Sequence, residues 1–244
     1  LDPMILAAER RIFQAQDLLL WPADWQKDTA DHLYDLTDAQ SVIVPWGANI
    51  DDPGPPHIPE ISPDRPLEIL FIGRDWLAKG GPLVLAVVQA LRAAGQDARL
   101  TVVGCVPPGA PEPWMKVHPS LDKADPVQLA TLQSLFQNAH FVMMASFESW
   151  GFAFCEASAY GVPSLCLRTG GVPVRDGVNG YALPPGADAD AFVAIIQRYL
   201  TDPPAYQALC TSARQEYEER LNWQAWGQSV SKLLHRQAPL QPRD

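Results

Sequence analysis

The sequence predicts an α/β fold built on a doubly wound parallel sheet, and three observations carry that prediction. From Leu67 onward, strand-length apolar runs alternate with helical patterns. The runs are apolar at successive positions rather than at every second one, which requires cover on both faces of the sheet. The connections between them are helical, as parallel neighbours demand. With 244 residues, 47% of them apolar, the chain has ample material for a packed core.

Taken in order, residues 4–16 show helical periodicity, and Asp17–Trp21 reads as a strand that stops at Pro22. A second helical pattern, Trp25–Leu36, leads to an apolar strand at Ser41–Pro45 with Gly47 beyond it. Residues 51–66 contain Pro53, Pro55, Pro56, Pro59, Pro63 and Pro66, which support neither a helix nor a central strand and so mark a linker. The complete unit then runs Leu67–Ile72, a helix over 82–94, Leu100–Val103, a short strand Met115–His118, a helix over 126–138, Phe141–Ala145, a helix over 152–160 closed by Gly161, and Ser164–Leu167. In the helix from Pro82, Val84, Val87, Val88 and Leu91 fall at i, i+3, i+4 and i+7, so one face is buried. Helical patterns over 188–200, 203–219 and 223–236 close the chain, the last carrying Trp223 and Trp226.

Eighteen basic against 28 acidic residues give a net charge of −10, which opposes binding to nucleic acid or to an anionic membrane surface. Any phosphate must therefore be held locally. Cys105, Cys155, Cys166 and Cys210 form no C-x-x-C pair and sit mostly in apolar segments, the pattern of reduced, buried thiols in a cytoplasmic protein. No apolar run approaches the roughly 20 residues needed to span a bilayer. Asp188-Ala189-Asp190 has the form of a metal-binding D-x-D, but it opens a helix, where capping is its expected role. The chain starts on Leu1, and the expectation is a fragment.

Two stretches could carry chemistry. In Ser146–Ala157 a strand runs into a helix that begins at Gly151, with Glu148 before the start and Glu156 in the second turn. The open N–H groups of such a helix attract phosphate, and Gly151 has no Cβ to keep a ligand away. Carboxylates beside a phosphate would repel it, so the two glutamates better serve neutral hydroxyls, such as those of sugars, on either side. An acid at a helix start is also an ordinary dipole partner, and the whole phrase is needed to separate the two readings. The second stretch, Gly73-Arg74-Asp75-Trp76-Leu77-Ala78-Lys79-Gly80-Gly81, sets two cations over the end of the first strand of the complete unit. Neither G-x-G-x-x-G nor G-x-x-x-x-G-K-[ST] is present, which speaks against a dehydrogenase and an NTPase.

The phrase Glu148, seven residues, Glu156, followed by Ala-Ser-Ala-Tyr-Gly161-Val-Pro163, resembles the signature of retaining glycosyltransferases of family 4, which have the GT-B fold; the glycine-arginine and lysine-glycine of the second stretch fit the same pattern. The resemblance implies a GT-B-type, Rossmann-like sheet with flanking helices, the C-terminal half of a two-domain enzyme. Residues 1–50 would be the end of an N-terminal acceptor domain and the crossover, 51–66 a linker, 67–222 the nucleotide-sugar donor domain, and 223–244 a helix returning toward the first domain. By the same resemblance Gly73, Arg74, Lys79, Glu148, Trp150, Gly151, Phe152 and Glu156 form the donor site, with Arg74, Lys79 and Glu148 in catalytic roles. The implied activity is retaining, hexosyltransferase-like transfer from a nucleotide-diphosphate sugar to a glycan, lipid or small-molecule acceptor. No metal or other cofactor is expected, nor nucleic acid as a partner. A missing N-terminal domain would choose the acceptor and could place the protein at a membrane surface, and the fragment alone would be inactive. A non-catalytic nucleotide-sugar-binding module and a GT-B sugar epimerase stand as alternatives. Thr169–Pro173 and Asp176–Gly180 also match family turns, but two residues between them, including a customary glutamate after the proline, are missing, which leaves the geometry near Val174 open.

Overall fold

The computed structural model describes residues 2–236; Leu1 and the last part of the segment 223–244 lie outside the described residues. The first stretch forms α1 (Pro3–Gln14), β1 (Leu19–Trp21), α2 (Asp24–Tyr34) and β2 (Ser41–Ile43), with β1 and β2 paired in parallel as a two-stranded sheet. Residues 44–66, which include the proline-rich segment, contain no helix or strand, as their ring-locked backbones dictate.

The main sheet comprises β3 (Leu67–Ile72), β4 (Ala98–Val103), β5 (Met115–His118), β6 (Phe141–Met144), β7 (Ser164–Leu167) and β8 (Gly180–Leu183). Its order is β5-β4-β3-β6-β7-β8 and every pairing is parallel. The chain winds outward from β3 to β5, crosses through α4 (Pro126–Asn138) to β6 on the other side of β3, and winds outward again to β8. Right-handed crossovers then put α3 (Gly81–Ala93) on one face and α4 with α5 (Phe152–Ala159) on the other. The helix α6 (Ala189–Leu200) packs beside α3, and α7 (Pro203–Glu219) beside α5. With both faces covered, Phe71, Phe141, Val142 and Met143 are fully buried, and so is the α3 face of Val84, Val87, Val88 and Leu91.

The strand β8 is a correction to the sequence reading, which took Asp176–Gly180 as a turn and ended the strands at Leu167. Four residues beginning with glycine carry too little pattern to announce a strand. Pairing makes it one, with Leu165 opposite Tyr181 and Leu167 opposite Leu183.

The last helix, α8 (Trp223–Arg236), follows the point where the first stretch meets the end of α7. The Ala48 amide donates to the Leu221 carbonyl at 2.8 Å, and Trp223 Nε1 donates to Asn49 Oδ1 at 3.2 Å. Gly47 is required there, since a Cβ would lie 2.9 Å from Asn222 Cα and closer still to the backbone beyond it.

Candidate functional site

The winding reverses between β3 and β6, so the loops leaving their C-terminal ends, 73–80 and 145–151, open side by side. Crevices at such reversals are where open α/β sheets bind ligands. The first loop is compact: Asp75 accepts from the Ala78 amide through Oδ1 at 2.8 Å and from the Lys79 amide through its carbonyl at 3.0 Å. Gly73 lies under the Lys79 stem, where a Cβ would sit 2.5 Å from Lys79 Cγ. Gly80 adopts φ +74° against the Ala145 carbonyl, which lets α3 start directly above the end of β6.

Lys79 crosses to the second loop. Its Nζ lies 2.5 Å from Glu148 Oε1, and Ser146 Oγ donates to the same oxygen at 2.5 Å. The other carboxylate oxygen, Oε2, has no hydrogen bond among the described residues. The Glu148 backbone is also fixed: its carbonyl accepts from the Gly171 amide at 2.9 Å, and Thr169 Oγ1 donates to the Ser146 carbonyl at 2.6 Å. The close approach of Gly170 and Gly171 to the carbonyls of Glu148 and Ser149 leaves no room for side chains.

Gly151 begins α5 in the left-handed region, at φ +86°, and no side chain caps the helix. The same holds for α3, which begins at Gly80. By contrast α1, α4, α6 and α7 are capped by Asp2, Asp125, Asp188 and Asp202, and α8 by Asn222. Asp188 is thus a helix cap, as its position in the sequence suggested. Of the helices after β3, the two without a side-chain cap are the two that start at the crevice. At α5 the Phe152 and Ala153 amides have no hydrogen bond among the described residues and are open to a ligand, whereas at α3 the Gly81 amide bonds the Trp76 carbonyl, Pro82 has no N–H and the Leu83 amide bonds the Gly80 carbonyl.

Two of the expected donor residues contribute differently from what their side chains suggested. Trp150 is 2% exposed and packs with Ala48, Cys155, Ala159, Tyr217 and Leu221, so only its backbone is left for a donor. The Phe152 ring stacks on Trp46 at 5.9 Å between centroids and 9° between planes, which leaves its amide as the group at the helix start.

Arg74 and Glu156 line a cleft of 690 Å³ together with Ile72, Gly73, Val103, Gly104 and the loop Ser120–Lys123. The two expected cations have different neighbours: Lys79 sits on Glu148, while the exposed Arg74 lines the same cleft as Glu156. Glu156 is 5% exposed and paired with Lys123, Nζ to Oε1 at 2.6 Å. Burial raises its pKa above the usual carboxylate range, and Lys123 offsets part of that. Sequence reasoning missed Lys123. Its one signal was a lone lysine in the loop after β5, at the same end of the sheet as the glycine-rich turns. It missed Ser146 as a partner of Glu148 for the same reason, because a serine two residues before an acid has no pattern of its own.

A third element touches the crevice. Gln26 of α2 donates through its amide to the Ser149 carbonyl, and the Trp25 ring meets Phe147 edge-on, 5.4 Å between centroids. The first stretch of the chain therefore braces the Glu148 loop directly.

A family model described as glycosyl transferases group 1 matches residues 66–202. D-inositol 3-phosphate glycosyltransferase of Corynebacterium diphtheriae is 28% identical over 247 residues, covering 92% of this chain and 57% of that protein. Glycogen synthase of Mycobacterium tuberculosis is 24% identical over 243 residues, covering 96% and 57%. Among solved structures, HepE of Anabaena in complex with UDP and glucose superimposes with a TM-score of 0.68 at 15% identity, covering 96% of this chain and 67% of that one. A glycosyltransferase from Rickettsia africae gives 0.70 at 13% identity, covering 98% and 68%. The fold is thus the GT-B type expected from the resemblance, and the chain spans 57% of the length of each of these two curated relatives. With the matched segment running from the linker through α6, over the whole crevice, the chain belongs to the glycosyl transferases group 1 family.

Proposed function

We propose that this chain is the nucleotide-sugar-binding half of a retaining glycosyltransferase. One observation carries the reading: at the reversal of the sheet the open start of α5 lies beside the Lys79–Glu148 pair, and Arg74 and Glu156 line a cleft in the same sheet-end region. An open helix N-terminus with cations near it suits a diphosphate, and the buried Glu156 and half-buried Glu148 carboxylates suit hydroxyls.

In this reading the departing nucleoside diphosphate gathers negative charge on its β-phosphate. Lys79, Arg74 and the Gly151 and Phe152 amides stabilise that charge, so leaving-group stabilisation is the main chemical contribution of this half. Glu148, held through Oε1, presents Oε2 to a hydroxyl of the transferred sugar, and Glu156 receives the ribose hydroxyls. The reaction needs no metal here, because side-chain cations and backbone dipoles meet the charge. The acceptor is chosen by residues outside this chain. Free, mostly buried cysteines fit a reducing cytoplasm, and no described helix is long and apolar enough to cross a membrane.

Calorimetric titration with UDP, GDP and ADP tests the reading. The chain binds at least one, and Arg74→Ala and Lys79→Ala each weaken binding by roughly 10- to 100-fold, the value of a charge-assisted hydrogen bond. Equal affinity in wild type and both variants would overturn it.

A further inference from the structure

We propose that Lys123 is a positioning residue for ribose recognition: by occupying Oε1 of Glu156 it fixes which carboxylate oxygen meets the ribose diol of a nucleoside diphosphate. The inference rests on the donor-binding reading above and deepens it.

Three observations support the assignment. Lys123 Nζ lies 2.6 Å from Glu156 Oε1, while Oε2 has no hydrogen bond among the described residues. Both residues line the same 690 Å³ cleft, a space large enough for a nucleoside. The loop that carries Lys123 is itself fixed: Asp122 Oδ1 accepts from the Ala124 amide at 2.9 Å, the Asp122 amide donates to Gln128 Oε1 at 2.9 Å, and Asp125 caps α4 immediately after. A buried carboxylate with no partner would protonate or turn away from the dry wall. With one oxygen held by an ammonium, it stays charged and keeps a single orientation.

Lys123 is the group in ion-pair contact with Glu156. Arg74 and Asp122 share the cleft; Cys155 lies on the same helix and Tyr160 directly follows it, and burial pushes the pKa of Cys155 and of Tyr160 up to about 12, so neither of these two ionises near neutrality. Removing Lys123 therefore leaves burial as the dominant influence on Glu156. The Glu156 pKa then rises further. A carboxylate whose ionised form is needed works above its pKa and fails as pH falls through it, so the loss of affinity begins at a higher pH without Lys123.

The experiment measures Kd for UDP and 2′-deoxy-UDP from pH 5.5 to 8.5 on the full 244-residue chain, its Lys123→Met and Lys123→Arg variants, and Glu156→Gln. If GDP or ADP is the preferred nucleotide, the matching deoxy pair replaces UDP. Wild type is expected to favour the ribose form. Lys123→Met loses about 10-fold in affinity for it, with a smaller preference over the deoxy form and a fall-off displaced to higher pH. Lys123→Arg restores both, and in the Glu156→Gln background Lys123→Met changes little. An unchanged ribose preference and pH profile in Lys123→Met would overturn this assignment alone. Failure of the wild-type chain to bind any nucleotide would overturn both the assignment and the donor reading beneath it. Lys123 is a loop residue with a 43% exposed side chain, so its replacement leaves the fold intact, and circular dichroism checks this.

Discussion

Lys79 and Glu148, 69 residues apart in sequence, meet at 2.5 Å above the adjacent ends of β3 and β6. The pair joins the basic loop to the acidic loop before any ligand arrives. It also divides the work of the carboxylate, since one oxygen is shared by Lys79 and Ser146 and the other is left open. Replacing Glu148 by Gln removes the charge but keeps an acceptor and the fold. Nucleoside diphosphate affinity in Glu148→Gln is therefore expected within about 3-fold of wild type, because Lys79 is released to the phosphates, whereas affinity for the sugar-bearing donor relative to the free diphosphate drops by about 10-fold. Calorimetry with UDP and UDP-glucose, or with the corresponding guanosine pair, checks this, and an equal loss for both ligands would contradict it.

Gly80 makes this meeting possible. At φ +74° with the Ala145 carbonyl below it, the position tolerates no Cβ without backbone movement. Gly80→Ala combines left-handed strain with a steric clash, and a cost of about 2–4 kcal/mol follows. In a domain of this size each kcal/mol lowers the melting temperature by roughly 2–4 °C. A thermal melt should show a loss on the order of 5–15 °C. Gly95→Ala, also left-handed at φ +91° but with open space around it, should cost about 1 kcal/mol and separate strain from clash.

Most of the sheet was legible because buried parallel strands are apolar at every position, as in Phe141–Met144, and helices such as α3 repeat their apolar face at i, i+3 and i+4. The glutamate phrase around Gly151 was legible because it is local. What the sequence could not show depends on long-range placement. Glu156 and Lys123 are 33 residues apart and on different elements, and Trp150 is adjacent to the helix start yet points into the core. A short edge strand such as β8 exists through its partner rather than through its own propensity.

His140, just before β6, gives the fold a pH dependence. The ring is buried; its Nδ1 accepts from the Glu68 amide at 3.0 Å, so the proton sits on Nε2, which donates to the Glu60 carbonyl at 3.1 Å. Burial holds its pKa below the ordinary value, and burial with nearby Lys116 does the same for His118. The unfolded chain thus binds protons near pH 6.5 that the folded chain refuses. Stability is fully present above that value and is lost as pH falls through it, by at most about 1.4 kcal/mol per pH unit for each group. Melting temperatures between pH 7.5 and 5.5 should decline, and His140→Gln should flatten the decline while lowering stability at pH 7.5. A slope unaffected by His140→Gln would rule the residue out as its source.

Asn179 shows how this chain closes the loop around Val174, whose geometry the sequence left open. The side chain is fully buried: Oδ1 accepts from the Arg175 amide at 2.8 Å, and Nδ2 donates to Ser158 Oγ at 3.2 Å and the Pro173 carbonyl at 3.3 Å. Val174 is buried beside it, and the loop is ordered by this amide together with Arg220 Nη2, which donates to the Pro173 carbonyl at 2.8 Å, and the Val178 amide, which donates to the Arg175 carbonyl at 3.0 Å. Asn179→Ala strands the Arg175 amide, a donor, and Ser158 Oγ, an acceptor in this contact, while the Pro173 carbonyl keeps its bond from Arg220 Nη2; the cost is about 2–4 kcal/mol. Asn179→Asp keeps the bond to the Arg175 amide but turns a carboxylate oxygen toward the Pro173 carbonyl in a dry site, so it should be at least as damaging. Ser158 belongs to α5, the helix whose start is proposed to hold the diphosphate, so Asn179→Ala should also weaken nucleotide binding although it touches no ligand. Melts and titrations on the two variants test the coupling: a large loss of stability with wild-type affinity would show that the loop braces the fold without positioning the helix.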